Sequence, residues 1–134
     1  MATKQPFHDH VHLTIESAEN GRARLRMKWR PEHALASGLL HGGFLAIVAD
    51  AAVHTAADTL LNPGETLTTV ELKINFLAPV RAQDVIAEAT IVKRGRTLVL
   101  GDVEVRVESG DLVGKSLVTY MVLQPRPLGG GHRP

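Results

Sequence analysis

No cysteine occurs in the 134-residue chain, which excludes a disulfide scaffold, a thiolate zinc site and a cysteine nucleophile together. A dominant charge sign is missing as well. With 15 Lys and Arg against 14 Asp and Glu, the whole-molecule field gives no reason to expect nucleic acid as a partner, and any anion site has to be local. No apolar h-region stands in the N-terminal MATKQPFHDH, and the longest apolar stretch is broken by Asp50 and His54. Neither a signal peptide nor a membrane span is expected, and the expectation is a soluble, cytoplasmic protein. A chain of this length can bury one continuous core without staples.

Alternation of apolar and polar residues begins early. Val11, Leu13 and Ile15 alternate with polar neighbours, Glu19, Asn20 and Gly21 make a turn, and Ala23, Leu25, Met27 and Trp29 then alternate with Arg22, Arg24, Arg26, Lys28 and Arg30. This is a β-hairpin with one buried face. Its basic residues read as the solvated outer face of a sheet, with an anion-binding stripe as the alternative.

After the loop PEHALASGL the period changes. From Gly42 to about Leu61 the chain is rich in Ala, Leu and Val, contains no proline and stops at NPGE, long enough for about five helical turns. Apolar residues lie nearly all round this helix, which marks it as enclosed by other structure. Asp50, His54 and Asp58 interrupt that pattern along one stripe, since residues four apart share a helix face.

Four further strands are expected. Val70, Leu72, Ile74 and Phe76 alternate with Glu71, Lys73 and Asn75; then come about Val85 to Lys93, a turn at RGR, about Thr97 to Glu108, a turn at SGD, and about Gly114 to Leu123. The order of elements gives an α+β domain, a curved antiparallel sheet of about six strands wrapped around one long central helix. The domain is expected over residues 10–124, with 1–9 an N-terminal segment and the Pro- and Gly-rich 125–134 a disordered tail.

A carboxylate on an apolar helix costs several kcal/mol unless it is paired or used. The glycine pair opening the same helix leaves backbone N–H groups without intrahelical partners, where the helix dipole adds positive charge. Such an end suits an oxyanion, and Asp50 offers the complement, a group to take a proton from water or to attack a carbonyl itself. Together they are the halves of an acyl-transfer site. Yet Gly42 and Asp50 are about 12 Å apart along the axis, while a reacting carbonyl needs both groups within about 3 Å. If both act, two subunits have to bring the Gly42 end of one helix to Asp50 of the other.

The stretch SGLLHGGFLAIVADAA and the element order resemble the hotdog fold, and specifically the PaaI-type branch of acyl-CoA thioesterases. The motif of that branch, G-x-x-H-G-G with an acidic residue eight positions after the first glycine of the pair, is matched by Gly38, His41, Gly42, Gly43 and Asp50. The similarity runs over roughly residues 10 to 123, with LKINFLAPV and VKRGRTLVLGDVEV resembling the family's third strand and next hairpin.

The resemblance implies hydrolysis of an acyl-CoA thioester at a subunit interface, in a homodimer or homotetramer, with no cofactor, no metal, no nucleic acid and no membrane. It implies that Gly42 N–H polarises the carbonyl, that His41 supports its loop, that Asp50 is base or nucleophile, and that Thr69 hydrogen-bonds the carboxylate or the water. Gly38 and Gly43 shape the substrate loop, and Lys93, Arg94, Gly95 and Arg96 form the hairpin that relatives use to hold coenzyme A phosphates; solvated loop-tip charges are the alternative. Two positions depart from the pattern: Leu35 stands where many relatives have Asn, and His54 where they carry a small or hydroxylated residue.

His54 admits three readings: a histidine satisfied by hydrogen bonds to Asp50 or Asp58, a group orienting water in place of the missing Asn, or a metal ligand with the two acids. His8, His10 and His12 are expected on the surface, with metal binding the alternative; His33 is expected in a loop and His132 in the tail. Aryl-acetyl, aroyl and medium-chain acyl groups all remain open. Two other functions stay beside hydrolysis, a hotdog dehydratase or hydratase and a non-catalytic acyl-CoA-binding module.

Overall fold

The computed structural model describes residues 3–126. A short helix α1 (Pro6–His10) is followed by strands β1 (Leu13–Glu19) and β2 (Arg22–Met27), a 3₁₀ turn (Pro31–His33), helix α2 (Gly42–Asp58), and strands β3 (Thr66–Phe76), β4 (Val85–Arg94), β5 (Leu98–Val107) and β6 (Leu112–Leu123). The six strands form one antiparallel sheet in the order β1-β2-β4-β5-β6-β3. This is the hotdog fold, with α2 enclosed by the curved sheet.

The first hairpin closes through Asn20 and Gly21, both at positive φ (50° and 75°), the backbone that a two-residue turn needs to match strand twist. Outside, Arg24 bonds Glu16 (2.8 Å) and Glu88 (3.0 Å), and Arg26 bonds Glu16 (2.8 Å) and Asp84 (3.1 Å). Arg24 and Arg26, at the centre of the basic stripe, are thus spent on carboxylates of β1, β4 and the loop before β4 rather than held open for an anion. Inside, Leu25, Met27, Ala87, Val103, Val105 and Val118 meet Val48, Ala49, Ala52, Val53 and Ala56 of α2 in the buried core.

Small side chains let the helix lie close. A Cβ on Gly101 of β5 would fall 2.5 Å from Val53 Cγ1. The helix stops at Asp58, short of Leu61, where Thr59 Oγ1 donates to Ala56 O (2.7 Å) and accepts from Gly21 N (2.8 Å).

Three sequence expectations need correction. The N-terminal segment carries helix α1, begun by Pro6 at its first turn, and His8 in it is buried rather than on the surface. Val70 does not continue the inward alternation of β3. The register steps from Thr69↔Tyr120 to Glu71↔Thr119, so Val70 is the extra residue of a bulge and is 54% exposed. Phe76, expected inward, is mostly exposed at the strand end. Residues 127–134, most of the expected tail, lie outside the described residues. Among the described residues no helix is long and apolar enough to cross a membrane.

Overpacking where β5 meets α2 should be felt globally. Gly101→Ala is expected to lower stability by about 1–3 kcal/mol in denaturant unfolding, whereas Gly110→Ala, with open space around its Cβ position but φ at +100°, tests backbone strain alone.

Candidate active site

Helix α2 buries most of its circumference, and the stripe left half-buried carries Ile47, Asp50, His54 and Asp58. Asp50 projects from it toward β3 and β6, where two hydroxyls reach its carboxylate. Tyr120, buried on β6, donates a short hydrogen bond to Asp50 Oδ1, and its oxygen also lies 3.0 Å from the Asp50 backbone carbonyl. Thr69 Oγ1 stands 3.3 Å from Oδ1 and 3.4 Å from Oδ2. The bulge at Val70 is what permits this: with one residue looped out, Thr69 and Leu72, three apart in sequence, both turn inward opposite Tyr120 and Val118.

Tyr120 was not among the residues singled out from the sequence. A tyrosine at an inward position of an alternating strand reads as core, and no local motif ties it to Asp50, 70 residues away. Burial first, then the hydrogen bond to Asp50, raises its phenol pKa far above the ordinary value, while Thr69 acts in the opposite direction. The group is therefore a fixed donor at any physiological pH.

At the start of α2, His41 caps the helix. Its backbone is extended (φ −64°, ψ 131°) and its Nδ1 accepts from Gly43 N at 2.8 Å, as an N-cap side chain does. Gly43 N–H is thereby occupied, and among the described residues Gly42 N–H has no hydrogen-bond partner. Beneath this loop His33, buried rather than merely in a loop, stacks on Phe44 at 4.1 Å and its carbonyl accepts from His41 N at 3.0 Å. Gly38 takes a left-handed φ of +88° in the turn that closes Leu35 to Gly38, and Leu35 itself is exposed.

The remaining expected residues are not gathered here. Lys93, Arg94, Gly95 and Arg96 lie at the β4–β5 tip beside the far end of α2, where a separate cavity of about 810 Å³ takes in the last three. Arg94 is committed there: its guanidinium bonds Glu65 at 2.6 Å and the Leu60 carbonyl at 3.4 Å, so phosphate binding through Arg94 would require breaking that pair. Lys93 and Arg96 have no ion-pair partner among the described residues. His54 makes no hydrogen bond with Asp50 or Asp58 among the described residues; it packs edge-on against Tyr120 at 5.5 Å instead. No group of three or more His, Asp or Glu side chains among the described residues is arranged to hold a metal ion.

Over Asp50 opens a cavity of about 460 Å³ walled by α1 and α2, with Phe7, Val11, Ile47 and Ala51 as apolar lining and His8, His54, Thr69 and Tyr120 as polar lining. A half-buried carboxylate oriented by two hydroxyls at the mouth of a mostly apolar cavity can activate water or attack a carbonyl. The Gly42 N–H at the head of the helix, without a partner among the described residues, can donate a hydrogen bond to an oxygen on which negative charge develops.

The chain's single tyrosine makes the Tyr120 bond measurable. Because the folded state holds the phenol protonated, its contribution to stability is complete below the unfolded value near 10 and is lost as pH rises above it. Spectrophotometric titration should show no tyrosinate until the alkaline unfolding transition. A tyrosinate signal in the folded protein near the ordinary value would mean that Asp50 lacks this donor.

Comparison with known proteins identifies the family and the fold. The sequence profile described as thioesterase superfamily matches residues 37–114, the segment from the glycine loop into the start of β6. The human acyl-coenzyme A thioesterase 13 is 31% identical over 93 residues, covering 69% of this chain and 66% of that protein. The medium/long-chain acyl-CoA thioesterase YigI of Escherichia coli K12 is 25% identical over 132 residues, covering 87% and 85%. Among solved structures, a mutant of phenylacetic acid degradation protein PaaI from Thermus thermophilus superposes with a TM-score of 0.81 at 28% identity, covering 89% of this chain and 100% of that one. The chain belongs to the thioesterase superfamily of hotdog-fold proteins.

Proposed function

We propose that this protein hydrolyses acyl-CoA thioesters, R–CO–S–CoA plus water giving the free acid and CoA–SH, as a cytoplasmic homo-oligomer whose minimal active unit is a dimer. The observation that carries the reading is the carboxylate of Asp50, fixed by Tyr120 and Thr69 at the cavity mouth, together with the unpartnered Gly42 N–H on the same helix. Tyr120 occupies Oδ1, leaving Oδ2, among the described residues, with only the long Thr69 contact and open to a water molecule. In the step as proposed, Oδ2 takes a proton from that water while its oxygen bonds the thioester carbon. Charge moves onto the carbonyl oxygen, which accepts a hydrogen bond from Gly42 N–H of the partner subunit. Collapse of the tetrahedral species breaks the C–S bond, and the leaving sulfur receives the proton held by Asp50.

Two features support the shared site. Gly42 and Asp50 are separated by about two helical turns, too far for one carbonyl. The half-buried stripe of α2 that carries Asp50 and the open edge of β3, with Val70 exposed on it, offer surface that a second copy could cover. His41, Thr69 and Tyr120 act here as positioning residues, and Gly38 shapes the turn that leads into the glycine pair. A place in the PaaI-type branch, with aryl-acetyl, aroyl or medium-chain acyl groups as substrates, rests on the motif from Gly38 to Asp50 and on the likeness to PaaI. Assembly of two dimers into a tetramer, and contacts from Lys93 and Arg96 to the phosphates of coenzyme A, belong to the same proposal.

The two halves of the site can be removed separately. Asp50→Asn should lower kcat for thiol release by about 10²-fold or more with little change in KM; near wild-type turnover in that variant would take Asp50 out of the mechanism. Gly42→Pro deletes the proposed oxyanion donor at a helix position where proline is tolerated, after a residue whose backbone is already extended. It should cost about 10²- to 10³-fold in kcat while the far-ultraviolet spectrum stays close to wild type, the exposed Phe76 ring, 3.1 Å from the added Cβ, having to shift to make room.

A further inference from the structure

Helix α1 supplies no residue to the hydrolytic step, yet it stands over the site. Its chain is turned back from β1 at His12, whose left-handed φ of 60° is a backbone conformation that non-glycine residues rarely adopt and that surrounding structure has to hold. The His12 carbonyl accepts from Lys28 N at 3.0 Å, which ties the base of this turn to the residue after β2. Val11 lies four residues after Phe7 and three after His8, so the three share one face of the turn that Val11 N closes onto Phe7 O at 3.1 Å. All three line the cavity over Asp50, whereas Pro6, Asp9 and His10 do not. Phe7 is 43% exposed and Val11 is buried. Lys4, the cation of this segment, is paired with Asp9 at 2.8 Å, and neither lines the cavity.

We infer that α1 is the acyl-recognition element of the site: the acyl group lies between α1 and α2 against Phe7, Val11, Ile47 and Ala51, and the substrates favoured are acyl-CoAs whose apolar chain or ring is long enough to reach α1, over acetyl-CoA. This role rests on the thioesterase reading and deepens it. A thioester carbon held within about 3 Å of its attacking group sits at the wall that Asp50, Thr69 and Tyr120 contribute to the cavity. Two arms leave that carbon. The pantetheine arm carries amides and leads to phosphates, which call for hydrogen-bond partners and cations. No lysine or arginine among the described residues lines the cavity over Asp50, while Lys93 and Arg96 stand at the β4–β5 tip. The acyl arm asks only for apolar surface, and Phe7 and Val11 on one side with Ile47 and Ala51 on the other provide it. Each methylene buried between them is worth a factor of about 4 in kcat/KM.

The test follows thiol release from acetyl-, butanoyl-, hexanoyl-, octanoyl- and phenylacetyl-CoA. In the wild-type protein kcat/KM should climb by about 4-fold per methylene until the chain fills the cavity. Phe7→Ala strips a wall residue that is exposed and outside the core, and it should lower the octanoyl-to-acetyl ratio of kcat/KM by about 10-fold. Phe7→Leu, which keeps an apolar side chain there, should restore part of that ratio. A wild-type rate that does not rise with chain length overturns the inference whether or not the variants fold. So does a ratio that Phe7→Ala leaves unchanged, all substrates falling in proportion, which is what a merely structural helix would give. If no acyl-CoA releases thiol, the hydrolase reading fails by itself. Calorimetric Kd values of octanoyl- and acetyl-CoA for the wild type and Phe7→Ala then decide the role of α1 separately. Tighter octanoyl binding that Phe7→Ala weakens supports it, and equal binding, or a preference that Phe7→Ala leaves intact, overturns it.

Discussion

The fold depends on how closely α2 can approach the sheet. Ala49, Ala52, Ala56 and Ala57 are buried with no accessible surface, and Gly101 across from Val53 has no room for a Cβ. Close approach of this kind encloses the helix on nearly every side, so the polar groups that remain on it have few places to go. One stripe is left, and Asp50 lies on it. Had α2 stood off on longer side chains, Asp50 would not reach Tyr120 and Thr69, and the head of the helix would not sit on the loop that His33 and Phe44 support.

Hydroxyl donors then decide what the carboxylate can do. Tyr120 cannot ionise in the working range and Thr69 never does, so Asp50 receives hydrogen bonds from neutral donors and not from a cation. A paired lysine or arginine would have neutralised it and blocked approach of water. His54, one turn along the same helix, offers a ring edge to Tyr120 rather than a bond to the acid. At the other end of α2 the logic is reversed: His41 satisfies one N–H of the first turn and leaves the adjacent one open. The two ends are chemically complementary and spatially separate, which is the physical reason to look for a second chain.

Much of this was legible in the sequence, and the failures have particular causes. The alternation around Leu25 and around Val103 gave strands because each faces a core on one side only, and the glycine pair with an acid two turns on marked the helix and the candidate residues on it. Thr69 is expected to face the helix, and its hydroxyl does reach Asp50; what a period-two pattern does not show is the bulge at Val70 that lets Thr69 and Leu72 both turn inward. His8 was misread because α1 is five residues long and has no periodicity to detect, its burial arising from tertiary packing of α1 beside β1. Tyr120 was missed because its partner is remote in sequence. Arg94 looked free at a loop tip, yet it closes onto Glu65 from the segment after α2. In each case the sequence determined the element or the residue type, and tertiary packing determined its neighbour.

The central claim is that one site is built from two chains. The direct measurement is thiol release by mixtures of two inactive proteins, one lacking the Asp50 carboxylate and the other lacking the Gly42 N–H, after subunit exchange has been verified by mass spectrometry. In a mixed dimer one of the two sites contains both mutations and the other contains neither. The account predicts that activity returns on mixing, approaching one intact site per mixed dimer. Exchange without any recovered activity would contradict it and place the whole of the reaction within a single chain.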